Sequence, residues 1–160
     1  MSKQKKQIGQ ALGRVPSGLF ILTAHFDKRD DAILVSWVNQ CSFEPPTVSV
    51  VLSKARPARL LVEASGAFIL NTLGKESNGL VKRFSKAPPP DAPVFEGLDT
   101  RTGLKKIAIL NDAISYLECE LIQQMTVGDH VVYIGEIVGG ALLQSEAAPY
   151  VHIRGSGFNY

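Results

Sequence analysis

Apolar and polar positions alternate along this chain in short runs rather than long ones. Leu19–Phe26, Ala32–Val38, Thr47–Ser53 and Ala67–Leu73 are rich in β-branched and aromatic residues and are bounded by charged, glycine or proline-bearing stretches, which predicts strands joined by tight connections. Asp27 to Asp31 reads as a charged hairpin turn. Ile107–Leu110 and Ile114–Met125 continue the pattern; in the second, Tyr116, Glu118 and Glu120 alternate with Leu117, Cys119 and Leu121. After the turn Thr126–Asp129 comes a strand at His130–Val138, then a turn at Gly139-Gly140, and a last short strand is expected within Tyr150–Arg154. Helical patterns are few. One covers Ile8–Arg14 and stops before Pro16, one covers Ala58–Ala64 between Pro57 and Ser65-Gly66, and one runs from a Ser77 cap through Phe84. Residues 1–7 are expected to be an unstructured tail, Lys86–Pro93 with Pro88-Pro89-Pro90 a loop, and Val94–Gly103 irregular.

Strands that do not alternate with helices argue against a doubly wound sheet and for a mainly β protein, a barrel with short helices at its rim. With 160 residues, the chain has the length of a single domain with a full core, here residues 8–160. No internal repeat is present. No run approaches the ~20 apolar residues of a membrane span, and Gly18–Ala24 is too short for a secretory segment, so the cytoplasm is the expected compartment. Net charge is +2 with scattered basic residues; Lys3, Lys5 and Lys6 read as a solvated terminus rather than a nucleic-acid arm. Cys41 and Cys119 are expected to be reduced and buried.

Several chemistries have no support. There is no G-x-x-x-x-G-K, no G-x-G-x-x-G after a strand and no G-x-S-x-G. His25, His130 and His152 lack metal-ligand spacing, so no metal is expected. The informative stretch is Ile33–Pro46, where an apolar run turns polar through Ser36, Trp37, Val38, Asn39, Gln40 and Ser42 before Pro45-Pro46. Neutral hydrogen-bonding groups at a strand end suit a planar polar ligand; the plain alternative is a strand surfacing into a turn, with Trp37 in the core. The next strand ends in Ser53-Lys54-Ala55-Arg56 before Pro57. Cations at a helix start oppose its dipole unless an anion joins them, although they also read as exposed charges. Lys82–Lys86 is a basic and aromatic cluster beside the proline loop, suited to closing over the same anion or to a solvated helix end. His130 opens a strand and reads either as a ligand-facing imidazole or as part of an exposed hairpin turn.

Taken in order, these pieces resemble the FMN-binding split-barrel flavin reductases, and among them the flavin-reductase module of cyanobacterial flavodiiron (diflavin) proteins. Gly18-Leu19 with Leu22-Thr23-Ala24, Ser36–Pro46, Lys54-Ala55-Arg56, Phe68–Leu73, Phe84–Pro89, Ala113–Glu120, Gly128-Asp129-His130 and His152–Tyr160 carry the resemblance. It implies a Greek-key split β-barrel, a homodimer, and FMN in a groove at the dimer interface. It sets Leu34–Gln40 beside the isoalloxazine, Asn39 toward its polar edge, Ser53, Lys54 and Arg56 at the phosphate, and Phe84 and Lys86 on a closing loop. His130 would stand at the open face, where nicotinamide stacks. Where many members carry serines and threonines before the double proline, this chain has Trp37, Asn39 and Gln40.

The expected activity is that of an NAD(P)H-dependent flavin reductase, passing hydride from nicotinamide to flavin and electrons on to free flavin, a metal complex or a protein acceptor. Two readings stand beside it: a flavoredoxin-like electron-transfer protein with no direct nicotinamide reaction, and the same barrel holding haem or pyridoxal phosphate. FAD is the alternative to FMN. Neither nucleic acid nor membrane is an expected partner.

Overall fold

The computed structural model describes all residues 1–160. Helix α1 (Lys3–Leu12) is followed by strands β1 (Phe20–Phe26), β2 (Arg29–Val35), β3 (Val38–Phe43) and β4 (Pro46–Ser53). Helix α2 (Ala58–Ser65), strand β5 (Ala67–Thr72) and helix α3 (Asn78–Phe84) come next, then a small hairpin of β6 (Thr100–Thr102) and β7 (Ala108–Leu110). The long strands β8 (Ser115–Val127) and β9 (His130–Leu142) complete the set. The protein is mainly β, as the pattern of short strands predicts.

Seven strands form one antiparallel sheet in the order β2-β1-β5-β8-β9-β4-β3. The two edge strands, β2 and β3, are separated in sequence only by Ser36 and Trp37. A link of two residues spans less than ~11 Å, so the sheet must coil until its edges meet at that link. This makes a barrel that is split along one seam. The principal core fills its interior with Leu22, Val35, Val50, Leu52, Phe68, Leu70 and Tyr133 among others. A second cluster, including Leu19, Ile21, Leu80 and Phe84, packs α3 onto the outside. Buried Asn71 and Thr23 staple β7 to the barrel: Asn71 Oδ1 accepts from Leu110 N–H at 2.8 Å and Thr23 Oγ1 donates to the Ala108 carbonyl at 2.6 Å.

Several boundaries differ from the sequence pattern, for identifiable reasons. Helix α1 opens at Lys3, with the Ser2 hydroxyl accepting from Lys5 N–H, inside the segment expected to be unstructured. The first hairpin turn is only Asp27-Lys28, because Arg29–Asp31 already pair in β2. The polar stretch after Trp37 is a separate strand, β3, not the end of β2. Gly139-Gly140 is not a turn. Both residues lie within β9 opposite Glu118 and Leu117, where a Cβ on Gly139 would collide with the Glu118 carboxylate and one on Gly140 would stand 2.6 Å from the Tyr116 carbonyl. Thr100–Thr102 pairs with β7 rather than staying irregular, and the stretch near Tyr150–Arg154 makes only the isolated bridges Gly74↔Pro149 and Ser17↔His152. Ser77 does not cap α3 with its side chain; its hydroxyl accepts from Gly74 N–H instead. Both cysteines are free, but Cys41 is exposed on the edge strand while Cys119 is buried, where burial and neighbouring Glu118 push its thiol up to about 12.

Candidate functional site

The seam of the barrel organises the site. At the link, Val38 N–H bonds to the Ser36 carbonyl at 3.1 Å, tightening the turn into β3, and Val51 N–H to the Trp37 carbonyl at 3.0 Å, fixing Trp37 against β4. A cavity of about 260 Å³ opens beside them, mostly apolar, with walls from Leu19, Ile33, Leu34, Val35, Val51 and Leu52 and from Val81 on α3. Its polar groups are few: the hydroxyls of Ser36, Ser53 and Ser85, the guanidinium of Arg56, and Tyr150, His152 and Tyr160.

Arg56 is placed by the turn that follows β4. Its N–H bonds to the Ser53 carbonyl at 3.0 Å, and Ala55 N–H donates to the Ser53 hydroxyl at 3.3 Å. The Arg56 side chain is half-buried, yet it takes part in none of the chain's ion pairs or side-chain hydrogen bonds. Its charge is felt nearby: it opposes the rise that burial imposes on the Asp31 carboxyl. An unpaired guanidinium at one end of an apolar slot is a place for an anion.

A second cavity of about 580 Å³ lies across a shared wall of Trp37, Val51, Ser53 and Tyr160. The register of β4 with β9 puts Ser53 opposite His130. His130 Nδ1 lies 2.6 Å from Asp129 Oδ1 and Nε2 lies 2.5 Å from the Tyr160 hydroxyl. With the carboxylate accepting at Nδ1, the neutral ring has Nε2 free to accept from the Tyr160 O–H. The hydrogen bond from His130 holds the Asp129 carboxyl below its ordinary range. The Trp37 ring stands 4.8 Å from the His130 ring and 5.6 Å from Tyr160, with the Arg154 guanidinium 5.2 Å from its centroid. Burial raises the Tyr160 phenol, with Asp129 adding to the rise and Arg56 and Arg154 opposing it. Burial lowers the His152 imidazole, and Arg154 lowers it further.

Of the residues singled out from the sequence, Ser36, Trp37, Ser53 and Arg56 line the first cavity, and His130 lines the second. Val38 packs against the principal core. Asn39 and Gln40 are exposed on both faces of β3, because an edge strand paired only with β4 has no layer over it. Lys54 is exposed; its N–H bonds to the Asp129 carbonyl and its carbonyl accepts from Arg59 Nε, so its backbone rather than its charge is engaged here. Phe84 is not on a closing loop. It is a core residue, 3% exposed, and Lys86 beyond it is exposed, while Ser85 between them reaches the cavity. Sequence reading missed Ser85, Tyr150, His152, Arg154 and Tyr160. A signal existed for three of these: Tyr150, His152 and Arg154 alternate with exposed Val151 and Ile153 at strand period.

Residues 12–159 match the family described as the flavin reductase like domain, and the chain belongs to that family. It is 38% identical over 153 residues to diflavin flavoprotein A 1 of Synechocystis, covering 94% of this chain and 26% of that protein. It is 38% identical over 164 residues to a putative diflavin flavoprotein A 3 of Nostoc, covering 99% and 28%. The chain thus spans about a quarter of the length of these relatives. Among solved structures, flavin reductase HpaC complexed with NADP+ aligns with a TM-score of 0.80 at 25% identity, covering 96% of this chain and 94% of that one. Nitrilotriacetate monooxygenase component B from Mycobacterium thermoresistibile shares the fold, with a TM-score of 0.85 at 24% identity and coverage of 95% and 84%. No helix is long and apolar enough to cross a membrane.

Proposed function

We propose that this chain binds FMN in the seam cavity and works as a flavin reductase that accepts electrons from NAD(P)H and hands them to an acceptor. The observation that carries this reading is the half-buried Arg56 guanidinium, unpaired, beside Ser53 and Ser85 at the end of an apolar slot. The donor set fits the group: apolar walls for a planar heterocycle, hydroxyls for its polar edge or ribityl chain, and one cation for a terminal phosphate. A single arginine beside a serine suits FMN better than the longer diphosphate of FAD. The bound flavin would supply hydride acceptance from nicotinamide and onward electron transfer. The chain's own part is to exclude water from the slot, to hold the phosphate with Arg56, and to present His130, fixed by Asp129, at the side where a nicotinamide ring approaches.

The reading includes a homodimer. The edge strand β3 and the β8–β9 hairpin leave Phe43, Ile122, Met125 and Val127 exposed, and a second copy over them would also cover Asn39 and Gln40. The physiological acceptor is proposed to be a protein or free flavin, in keeping with the longer diflavin relatives.

The visible spectrum of the purified protein with added FMN, together with a fluorescence-quenching titration, tests the cofactor. Absence of saturable FMN binding would sink the reading. A second reading has its own support: Tyr160 caps His130 Nε2, which closes the nicotinamide side, as expected of a flavoredoxin-like module reduced by a partner protein. Stopped-flow bleaching of the bound flavin by NADH or NADPH separates the two.

A further inference from the structure

We propose that Tyr160 is a gate: it occupies the position that the ring of a nicotinamide dinucleotide must take, and the segment Arg154–Tyr160 has to swing off helix α1 to admit it. The proposal rests on the flavin reductase reading given above. It begins with what Tyr160 does to the two cavities. Its side chain belongs to the wall between them, together with Trp37, Val51 and Ser53, so its movement reshapes the cavity around His130. Its hydroxyl takes the one acceptor that neutral His130 has to offer. Its ring sits against Trp37 and His130. A nicotinamide offers the same pair of features, a planar ring to pack there and a carboxamide N–H for Nε2, so the two compete for one place. Arg154, beside Trp37, adds a cation on the same side for a dinucleotide's phosphates.

The segment that carries Tyr160 is held at the rim, not by the core. Arg154 N–H bonds to the Gly13 carbonyl at 3.1 Å and Gly157 N–H to the Gly9 carbonyl at 2.7 Å. Lys5 lies over the Phe158 ring. Helix α1 in turn buries only Gly9 and contributes to none of the three hydrophobic clusters. Few buried apolar contacts mark a unit that opens at low cost, independently of global unfolding. The fit between the two pieces is close all the same: a Cβ on Gly157 would collide with Leu12. That makes Gly157→Ala a way to spring the latch without touching Tyr160.

The test uses the FMN-loaded protein with NADP+ or NAD+, which bind without reducing the flavin. Hydrogen exchange at the Arg154 and Gly157 amides and along α1 is expected to quicken when the dinucleotide saturates, and to stay unchanged with FMN alone. Tyr160→Ala and Gly157→Ala are each expected to bind the dinucleotide about fivefold to tenfold more tightly, as when a closed state is relieved, with FMN affinity within twofold of the unmodified chain in Gly157→Ala, whose site lies outside the slot. Emission from Trp37, the single tryptophan, should change on dinucleotide binding and already resemble the bound form in Tyr160→Ala. Slower exchange of α1 on binding overturns the gate. So does weaker dinucleotide binding in Tyr160→Ala, which would make the tyrosine part of the co-substrate's site. If FMN binds but no variant takes either dinucleotide, the gate fails and the flavin-binding reading survives; if FMN itself does not bind, that reading fails first.

Discussion

The two cavities on either side of Trp37 are built in opposite ways. The slot at the seam is walled largely by strand residues, among them Ile33, Val35 and Leu52 of the principal core, so most of its shape follows from the barrel itself. The cavity around His130 is bounded on its outer side by Arg154, Gly157, Phe158, Asn159 and Tyr160, a segment fastened to a helix that itself has little hold on the barrel. A cofactor that stays bound calls for the first kind of wall. A co-substrate that comes and goes calls for the second. The contrast is between preorganisation and access, and the molecule separates them across one aromatic partition.

The contrast can be broken most forcefully in the core. Phe68 is fully buried in the barrel interior, in one cluster with Val50 and Leu52. Phe68→Ala is expected to cost about 3–5 kcal/mol of stability, whereas Phe158→Ala, on a ring 49% exposed, should cost under about 1 kcal/mol. Denaturant midpoints compare them directly, and equal losses would show that the rim segment is as structural as the barrel. Next comes the anion end of the slot. Arg56→Ala should lose about tenfold to a hundredfold in FMN affinity, a charge-assisted contact of about 1.5–3 kcal/mol, with riboflavin affinity hardly changed. Lys54→Ala should do far less, since Lys54 does not line the slot. Parallel loss of riboflavin in Arg56→Ala would make Arg56 a support for the turn instead of a phosphate ligand.

On the other side of the partition, His130→Ala should slow reduction by NAD(P)H by roughly tenfold, the scale of one hydrogen-bonding contact, while FMN affinity stays within a few-fold; rapid-mixing kinetics on flavin-saturated protein reads both. The smallest effect concerns pH. Burial and Arg154 hold His152 below the ordinary value of 6.5. The unfolded chain takes up that proton at the ordinary value, so the stability contributed by neutral His152 is complete above about pH 6.5 and is lost as pH falls toward the lowered folded value. Melting temperatures across that range should fall more steeply for the unmodified chain than for His152→Gln.

Much of this was legible in the chain as written. Period-two runs bounded by turn residues marked most of the large sheet's strands, because a residue's burial on one face of a strand is a local property of sequence spacing. The Ser53–Arg56 turn was legible too, since a hydroxyl and cations before Pro57 form a local motif. Harder to read were places where a long-range neighbour overrides a local signal. Gly139-Gly140 has the composition of a turn but lies in β9, because Glu118 and the backbone at Tyr116 leave no room for a Cβ. Asn39 and Gln40 sit in the most informative stretch yet face solvent in the single chain, because β3 is an edge.

The sequence by itself determined most of the large sheet's strands, the small helices, the position of the Ser53–Arg56 turn and, through its resemblance, the family. Tertiary structure alone decided that the sheet's two edges meet at Ser36-Trp37, that Arg56 rather than Lys54 or Lys86 looks into the slot, and that Tyr160 closes on His130. The reason is distance along the chain. Strand period and capping act over a few residues and leave a trace in the local pattern. The site joins residues from Leu19 to Tyr160 across a barrel seam, and no local pattern records which of two neighbouring cations the backbone will turn inward.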